Sequence, residues 1–298
     1  MDLASLSVFR TVAREQSVTR AAELLGRVPS NVTTRIQQLE AEIGVALFQR
    51  DHKRMALTAE GRTYLDYADR ILNLADEALQ TVHPGAPLGV LRIGSMESAA
   101  AARLPQPLAR FNATWPEVTI ELSTGPTRQL IDALLAQHID CAVIAIPPGD
   151  WGLEQDALDT VALFSEELLL VLPPGHPAVA RADDIKPRCL AAFAPGCTYR
   201  ILAEDWMTES GSRPAQIRFQ EVRSYHAMVA CTAAGSCFAI LPRSVLDLVP
   251  DAERFTIKPL MKVETVLASR PGFKTPAFMA LRGMLGAVSE IESPHASN

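Results

Sequence analysis

A short polar stretch near the N-terminus carries the side chains best suited to contacting nucleic acid. Its members are small or hydrogen-bonding residues: Ser30, Asn31, Thr33, Thr34 and Arg35. Each of them can donate or accept a hydrogen bond at a base edge in the major groove of DNA. Pro29 comes directly before them and suits the first turn of a helix, where its missing N–H would have no partner. We therefore predict that Pro29 and these residues form the tip of a DNA-binding helix rather than an ordinary solvated surface.

Two helices joined by a short turn are predicted to position this tip. Ser17 and Thr19 offer N-cap chemistry for the first helix, and residues 26–28 form the turn. The second helix runs over about residues 29–43, and Gly44 can end it in a left-handed cap. This arrangement, in which the second helix opens with small polar residues, is typical of a helix-turn-helix.

A basic hairpin, or wing, is predicted directly after these helices. Residues 49–57 form two short strands in this prediction, and Arg50, Lys53 and Arg54 lie near the turn between them. Such a wing can contact phosphate groups or a minor groove. Residues 1–62 contain nine Lys or Arg and seven Asp or Glu, whereas the whole chain has a net charge of −6. A weakly basic head on an acidic body suits a protein that contacts phosphate at one end only.

A long amphipathic helix, capped by Thr58 and covering about residues 59–82, follows the wing. Apolar residues recur in it at alternating spacings of four and three: Tyr64, Ala68, Ile71, Ala75, Ala78 and Val82. This period is typical of a coiled-coil seam. The seam predicts a homodimer that places two heads on a two-fold DNA site, and packing of the helix against its own chain is the alternative. Residues 83–87 contain two prolines and a glycine and are predicted to form a hinge.

The rest of the chain alternates strand-like and helical segments. In its first half the predicted strands are residues 90–94, 118–123 and 141–146, and the predicted helices are residues 101–112 and 127–137. In its second half the predicted strands are residues 168–172, 217–222, 238–241 and 263–269, and the predicted helices are residues 199–207, 225–234 and 275–288. This alternation predicts a mainly parallel sheet in two α/β lobes. A ligand cleft is expected between the lobes, at the carboxyl ends of strands.

Several stretches of this sequence resemble the LysR-type transcriptional regulators. They are Phe9, residues 17–25 (SVTRAAELL), 36–40 (IQQLE), 42–44 (EIG), 47–50 (LFQR), 57–61 (LTAEG) and, further along, Leu241-Pro242. The stretch of residues 28–35 (VPSNVTTR) is most similar to the subset that includes putrescine-utilisation regulators.

The resemblance implies a multidomain chain with three parts. These are an all-α winged helix-turn-helix head in residues 1–58, a dimerisation helix with a hinge in residues 59–87, and a two-lobed α/β effector domain in residues 88–298. The last part would have a periplasmic-binding-protein-like fold, with lobe I about 88–161 and 266–298 and lobe II about 162–265. The implied partners are double-stranded DNA, a small-molecule effector, RNA polymerase and further copies of the chain, in a homodimer or homotetramer.

The resemblance also implies which residues contact the effector. They are Ser95, Met96, Glu97, Ser98, Thr127, Cys197, Thr198, Arg200 and Ser224. Several of them fall at predicted helix N-termini, whose free N–H groups favour a carboxylate. Glu97 can instead hold an ammonium group, so an amino-acid-like or amine-bearing effector is expected. The alternative is that Glu97 only complements the helix dipole.

Other classes of protein are less consistent with the sequence. It contains no G-x-S-x-G, P-loop or H-E-x-x-H motif, so no catalytic residue, cofactor or metal site is predicted. The five cysteines lack C-x-x-C spacing and are interpreted as small buried hydrophobes. The alternative is a redox-sensing regulator switched by Cys197, which lies beside Arg200 in the sequence, or by another thiol. A solute-binding protein would need an export signal. Neither such a signal nor a membrane-spanning run is evident, so the cytoplasm is expected.

Overall fold

A computed structural model describes residues 1–51, 54–82, 85–146, 157–209 and 217–291, without the side chains of residues 50, 51 and 287–291. The chain forms two compact units. The head comprises Met1–Pro84 with Ala136–His138, and the body comprises Gly85–Leu135 with Ile139–Asn298. The predicted dimerisation helix therefore belongs to the same unit as the helix-turn-helix. None of the described helices is long and apolar enough to cross a lipid bilayer.

The head is built from helices and a two-stranded hairpin. Its elements in chain order are α1 (Leu3–Glu15), α2 (Val18–Leu24), α3 (Pro29–Ile43), β1 (Phe48–Asp51), β2 (Arg54–Leu57) and α4 (Ala59–Val82). The Ser17 hydroxyl caps α2, whereas Thr19 lies inside that helix, and Gly44 ends α3 with a left-handed φ of 83° as predicted. The Phe9 ring lies in the centre of the core, at centroid distances of 5.3 Å from Phe48 and 5.2 Å from Tyr64.

Two side chains hold the wing, formed by β1 and β2, beside the helices. Glu40 Oε1 accepts hydrogen bonds from the backbone N–H groups of Leu47 at 2.7 Å and Phe48 at 3.0 Å. Thr58 Oγ1 accepts from the Gly61 N–H at 2.9 Å, so Thr58 caps α4 directly after β2. The wing is therefore anchored at both ends to helices of the head.

The body consists of two α/β lobes that share a sheet. Lobe I contains β3 (Gly89–Ser95), α5 (Glu97–Ala102), α6 (Pro105–Thr114), β4 (Val118–Thr124), α7 (Thr127–Leu135), β5 (Cys141–Ala145) and α11 (Pro276–Ile291). Lobe II contains β7 (Cys189–Ala192), α8 (Thr198–Glu209), β8 (Arg218–Glu221), α9 (Tyr225–Ala233), β9 (Phe238–Pro242) and α10 (Arg243–Leu246). Two long strands, β6 (Asp159–Leu172) and β10 (Thr256–Ser269), run through both lobes.

The strand order across the sheet is β4-β3-β5-β10-β6-β9-β7-β8. Within each lobe the three short strands are parallel, as predicted from the alternation of strands and helices. At the centre, however, β10 is antiparallel to β5 and β6, and β6 is antiparallel to β9. The prediction of a mainly parallel sheet is therefore wrong at the centre, because the chain passes between the lobes once in each direction.

Three local predictions differ from the structure. The single helix predicted over residues 101–112 is two helices, because Pro105 begins α6 and cannot continue α5. Strand β7 was not predicted, since its sequence CLAA has neither polar alternation nor β-branched residues. Strand β6 begins well before residue 168, and its early part includes Glu166, which is buried in an ion pair with Arg103. A charged residue rarely signals a buried strand.

Gly61 lies in the first turn of α4. A Cβ atom at this position would stand 2.0 Å from Leu47 O, a backbone atom. We expect Gly61→Ala to lower the free energy of unfolding of the head by roughly 1–3 kcal/mol, because the added atom overpacks the core. Thermal unfolding followed by circular dichroism measures the loss, and faster hydrogen exchange in α1 and α3 assigns it to the head. Gly283→Ala is the matched control, since a Cβ there would meet no atom within 4 Å. Equal losses in the two variants would contradict the steric explanation.

Candidate DNA-binding surface and ligand pocket

The first turns of α3 present three predicted DNA contacts on an exposed surface. Ser30, Asn31 and Thr34 are exposed, and Pro29 is exposed beside them at the first helical position. Gln38 was not predicted, but it is exposed and lies one turn beyond Thr34. Its spacing of seven from Asn31 was the signal that sequence analysis missed. The opposite side of α3 is buried in the head.

Two other predicted contacts on α3 are engaged within the head. The Thr33 hydroxyl donates to Pro29 O at 3.0 Å, one turn back along the helix, and the side chain is half-buried. Arg35 Nη1 lies 3.2 Å from Asp2 Oδ1 and 3.3 Å from Ser5 Oγ, so it joins α3 to the start of α1. The pKa of Asp2 is lowered, first by its hydrogen bond from the Ser5 backbone and also by Arg35. Arg35 thus has a structural role that the sequence did not reveal, whereas the Thr33 hydroxyl is bonded only within its own helix.

The wing brings one predicted phosphate contact to the surface. Arg54 is exposed at the start of β2, where it pairs in register with Asp51. Lys53 and the side chain of Arg50 lie outside the described residues. The Met55 N–H donates to Gln16 O at 3.0 Å, which ties the wing to the turn between α1 and α2.

The predicted dimerisation seam of α4 is partly buried in the head and partly exposed. Tyr64 is half-buried and Ala68 is fully buried in the core of the head, so the prediction that Ala68 faces a partner is wrong. Ala75 is half-buried, whereas Ala78 is exposed. Five large apolar side chains of α4 are exposed: Tyr67, Ile71, Leu74, Leu79 and Val82. The alternative of packing within the chain therefore holds for the first half of α4.

A pocket of about 470 Å³ opens between the lobes of the body, at the carboxyl ends of parallel strands. This volume is in the range of small-molecule sites. Five of the predicted effector residues line it: Met96, Glu97, Ser98, Thr127 and Cys197. Tyr199, which lies in the stretch of residues 196–200 that the resemblance implies, also lines it, and the lining residues that the sequence analysis missed include Gln129, Phe193, Glu221, Arg223 and Tyr225. Three of them, Glu221, Arg223 and Tyr225, belong to lobe II, and no local sequence pattern shows that they lie close to lobe I.

Four predicted effector residues do not line the pocket, because their side chains are used elsewhere. Ser95 is buried and its hydroxyl donates to Met96 O at 2.9 Å. Ser224 accepts from the Ala227 N–H at 3.2 Å and so caps α9. Neither Ser95 nor Ser224 is therefore among the residues that line the pocket.

The other two residues, Thr198 and Arg200, are held in α8. Thr198 Oγ1 lies 2.8 Å from both Thr127 Oγ1 and Ala145 O, which joins lobe II to lobe I. Arg200 Nε donates to Glu204 at 2.9 Å, and its guanidinium stacks over a neighbouring ring. Arg200 is therefore a structural residue of lobe II.

The pocket contains charged groups and buried phenols. Glu97 is half-buried, and Glu221 and Arg223 are exposed at its edge. Burial is the main cause that raises the pKa of both Tyr199 and Tyr225, so both phenols are neutral hydrogen-bond donors. The acidic groups can hold a cation, and the phenols can donate to an acceptor.

Cys197 does not have the activated thiol that the redox alternative requires. Burial raises its pKa, although backbone N–H groups and the Arg200 charge act in the other direction. A thiol with a raised pKa is a poor nucleophile, because little of it is in the thiolate form. The expected activation of Cys197 by Arg200 is therefore not found.

Two family models match the chain. The model described as "Bacterial regulatory helix-turn-helix protein, lysR family" matches residues 3–62, and the model described as "LysR substrate binding domain" matches residues 84–289. Among similar proteins is the HTH-type transcriptional regulator GltR of Bacillus subtilis (strain 168), 37% identical over 247 residues, which are 83% of this chain and 81% of that protein. The regulator YusT of the same organism is 38% identical over 248 residues, with coverage of 83% and 81%.

Solved structures share the fold of the whole chain. A full-length, singly substituted OxyR from Pseudomonas aeruginosa is similar with a TM-score of 0.71 and 23% identity, covering 97% of this chain and 99% of that one. Full-length CbnR in complex with its target DNA is similar with a TM-score of 0.68 and 21% identity, covering 97% and 100%. The chain therefore belongs to the LysR family of transcriptional regulators, with a helix-turn-helix head for sequence-specific DNA binding and a two-lobed domain for a small-molecule effector.

Proposed function

We propose that this regulator recognises its operator with the exposed surface of α3 and gains affinity from phosphate contacts of the wing. The observation that carries the proposal is the exposure of Ser30, Asn31 and Thr34 on one side of α3, beside Pro29. These small polar groups can approach base edges in a major groove. Arg54 is the exposed wing residue, and Arg50 and Lys53 are added to it from the sequence alone.

Thr33 and Thr34 form a matched pair for testing which side of α3 contacts bases. We expect Thr34→Ala to change the ranking of operator variants at one base position by about 1–3 kcal/mol. Thr33→Ala should leave that ranking unchanged, since its hydroxyl is bonded to Pro29 O. Binding to DNA fragments selected from the host genome, measured by fluorescence anisotropy in competition, gives the rankings.

The wing supplies the control for this experiment. Arg54→Ala should weaken binding to all sequences by a similar factor and reduce the salt dependence of binding by about one counterion, as expected for a phosphate contact. If Thr33→Ala changes base preference as strongly as Thr34→Ala, the proposed recognition surface is wrong.

We propose that the chain pairs through the exposed apolar surface of α4, in a homodimer or in a homotetramer built from such dimers. Tyr67 and Leu74 lie on the side of α4 away from the buried Ala68 and Leu72, and Ile71 lies at the edge between the two sides. A contiguous apolar surface on a long helix marks a site of association. Pairing would present two copies of α3 to a two-fold operator.

Ile71 tests the pairing surface, because it is exposed and lies near the middle of α4. We expect Ile71→Glu to raise the dimer dissociation constant by about tenfold or more, since a buried unpaired carboxylate is costly. Ile71→Leu is the control and should pair normally. Sedimentation velocity over a range of concentrations measures both constants, and unchanged association of Ile71→Glu would rule out this surface.

We propose that the effector carries an ammonium group, held by Glu97 in the pocket. Glu97 is half-buried at the start of α5, and Glu221 adds a second carboxylate to the lining. A carboxylate in a partly dry pocket favours a cationic partner. We also propose RNA polymerase as a partner and the bacterial cytoplasm as the location, because a transcriptional regulator acts on the chromosome.

Glu97→Gln tests the ammonium contact, because it keeps the shape of the side chain and removes its charge. Thermal unfolding of the full chain with each of the standard L-amino acids and their decarboxylated amines would identify the probes. We expect Glu97→Gln to weaken these probes by about tenfold or more, whereas Glu117→Gln, on the exposed surface of lobe I, should not. If Glu97→Gln lowers the melting temperature of the free protein but leaves the probe affinities unchanged, Glu97 only complements the dipole of α5.

A further inference from the structure

The hydroxyl of Tyr199 is a buried donor without a partner. Tyr199 lies in the first turn of α8 and is 4% exposed, yet it lines the pocket. Its hydroxyl oxygen is fully buried and has no partner at ordinary hydrogen-bond distance and angle, although the Ser98 and Thr265 hydroxyls are near enough to act on its pKa. Buried phenol groups in proteins usually have a hydrogen-bond partner, and an exception needs an explanation.

A second unpartnered hydroxyl belongs to Thr265, which is fully buried in β10. Thr265 pairs in register with Ala145 of β5 and Phe164 of β6, and the register of β10 against β6 shifts directly after it. It therefore lies where the strands of the two lobes meet. Thr265 and Ser98 are both close enough to Tyr199 to lower the pKa of its phenol. Three hydroxyls thus converge beside the pocket.

One carboxylate close to this cluster is already paired. Glu166 raises the pKa of Tyr199, so it is close to the phenol. Its Oε1 accepts from Arg103 Nε at 2.7 Å and from Ser244 Oγ at 3.0 Å. Since Arg103 offsets the charge of Glu166, this carboxylate does not oppose a second anion beside the hydroxyls.

We infer that the Tyr199 hydroxyl donates a hydrogen bond to a carboxylate oxygen of the effector, with Thr265 and Ser98 close enough to add to the same site. The inference rests on the proposed function of the pocket as a site for an amine-bearing molecule. Glu97 and Tyr199 both line this pocket, and they come from different lobes. The effector is therefore an amino acid, with its ammonium group at Glu97 and its carboxylate at Tyr199.

A carboxylate suits the cluster better than a neutral carbonyl does. A carboxylate offers about four acceptor positions, whereas a carbonyl offers two. Three hydroxyls that converge from different elements can use the larger number. A primary amide of the same amino acid has the carbonyl without the charge, so it distinguishes the two acceptors.

Tyr199→Phe tests the inference, because it removes one oxygen atom and keeps the shape of the ring. The probes are the L-amino acid that raises the melting temperature of the full chain most, its primary amide and its decarboxylated amine. Isothermal titration calorimetry gives their affinities. We expect Tyr199→Phe to weaken binding of the amino acid by about 10- to 100-fold and to leave binding of the amine unchanged. Thr265→Val should weaken the amino acid in the same direction.

Two controls separate a ligand contact from a structural role. The free Tyr199→Phe protein should melt at the same or a higher temperature than the unsubstituted chain, because the variant removes an unpaired buried hydroxyl. Tyr64→Phe makes the same chemical change in the head and should leave all affinities unchanged. A large loss of stability in free Tyr199→Phe would indicate a structural bond and overturn the inference.

Other outcomes would also overturn the inference. These are an unchanged affinity of Tyr199→Phe for the amino acid, an equal loss for the amine, equal binding of the amide and the acid, or no binding of any amino acid in the panel. The proposed function fails separately. If Glu97→Gln leaves the affinity for the amine unchanged while Tyr199→Phe still weakens the acid, the ammonium assignment is wrong and the carboxylate assignment stands.

Discussion

The antiparallel pairing of β6 with β10 is the constraint on which the body depends. Each strand has 14 residues and runs through both lobes, and the parallel strands of each lobe attach to this central pair through β5 and β9. These two strands join the lobes into one sheet. The carboxyl ends of the parallel strands of both lobes then face the same cleft. The change of register after Thr265 lies within the same pair. The position of the pocket and the irregularity beside it thus have a common origin.

Side-chain contacts between the lobes surround this central pair. Glu166 is buried in β6, and its charge is tolerated because Arg103 and Ser244 bind its carboxylate. Arg103 directly follows α5, a six-residue helix that begins with Glu97 at the pocket. This short helix therefore lies between the pocket and β6, one of the two strands that run through both lobes.

In the head, helices α3 and α4 each have one side buried in the core and another side exposed. Helix α3 buries Val32, Ile36 and Leu39 in the core, and its opposite side carries the exposed polar residues. Helix α4 packs its first half against α1 and leaves an apolar surface along its remaining length. In both helices the buried and exposed residues alternate with the helical period. A residue next to an exposed one in the sequence can therefore be bonded within the head. Thr33 and Arg35 show this, since each is a neighbour of Thr34 and is bonded within the head.

Local patterns in the sequence determined much of this protein. The caps at Ser17 and Gly44, Pro29 at the start of α3, the wing, the long α4 and the parallel α/β lobes all follow from propensity, periodicity and turn chemistry, which act over a few residues. Tertiary structure alone decided which polar side chains remain available. The side chains of Thr198 and Arg200 form hydrogen bonds within the body, whereas Tyr199 between them lines the pocket and has an unpaired hydroxyl. Tertiary structure also brought Glu221, Arg223 and Tyr225 to the site and buried Ala68 in the head. These outcomes depend on contacts between residues far apart in the chain, and such contacts leave no trace in local spacing.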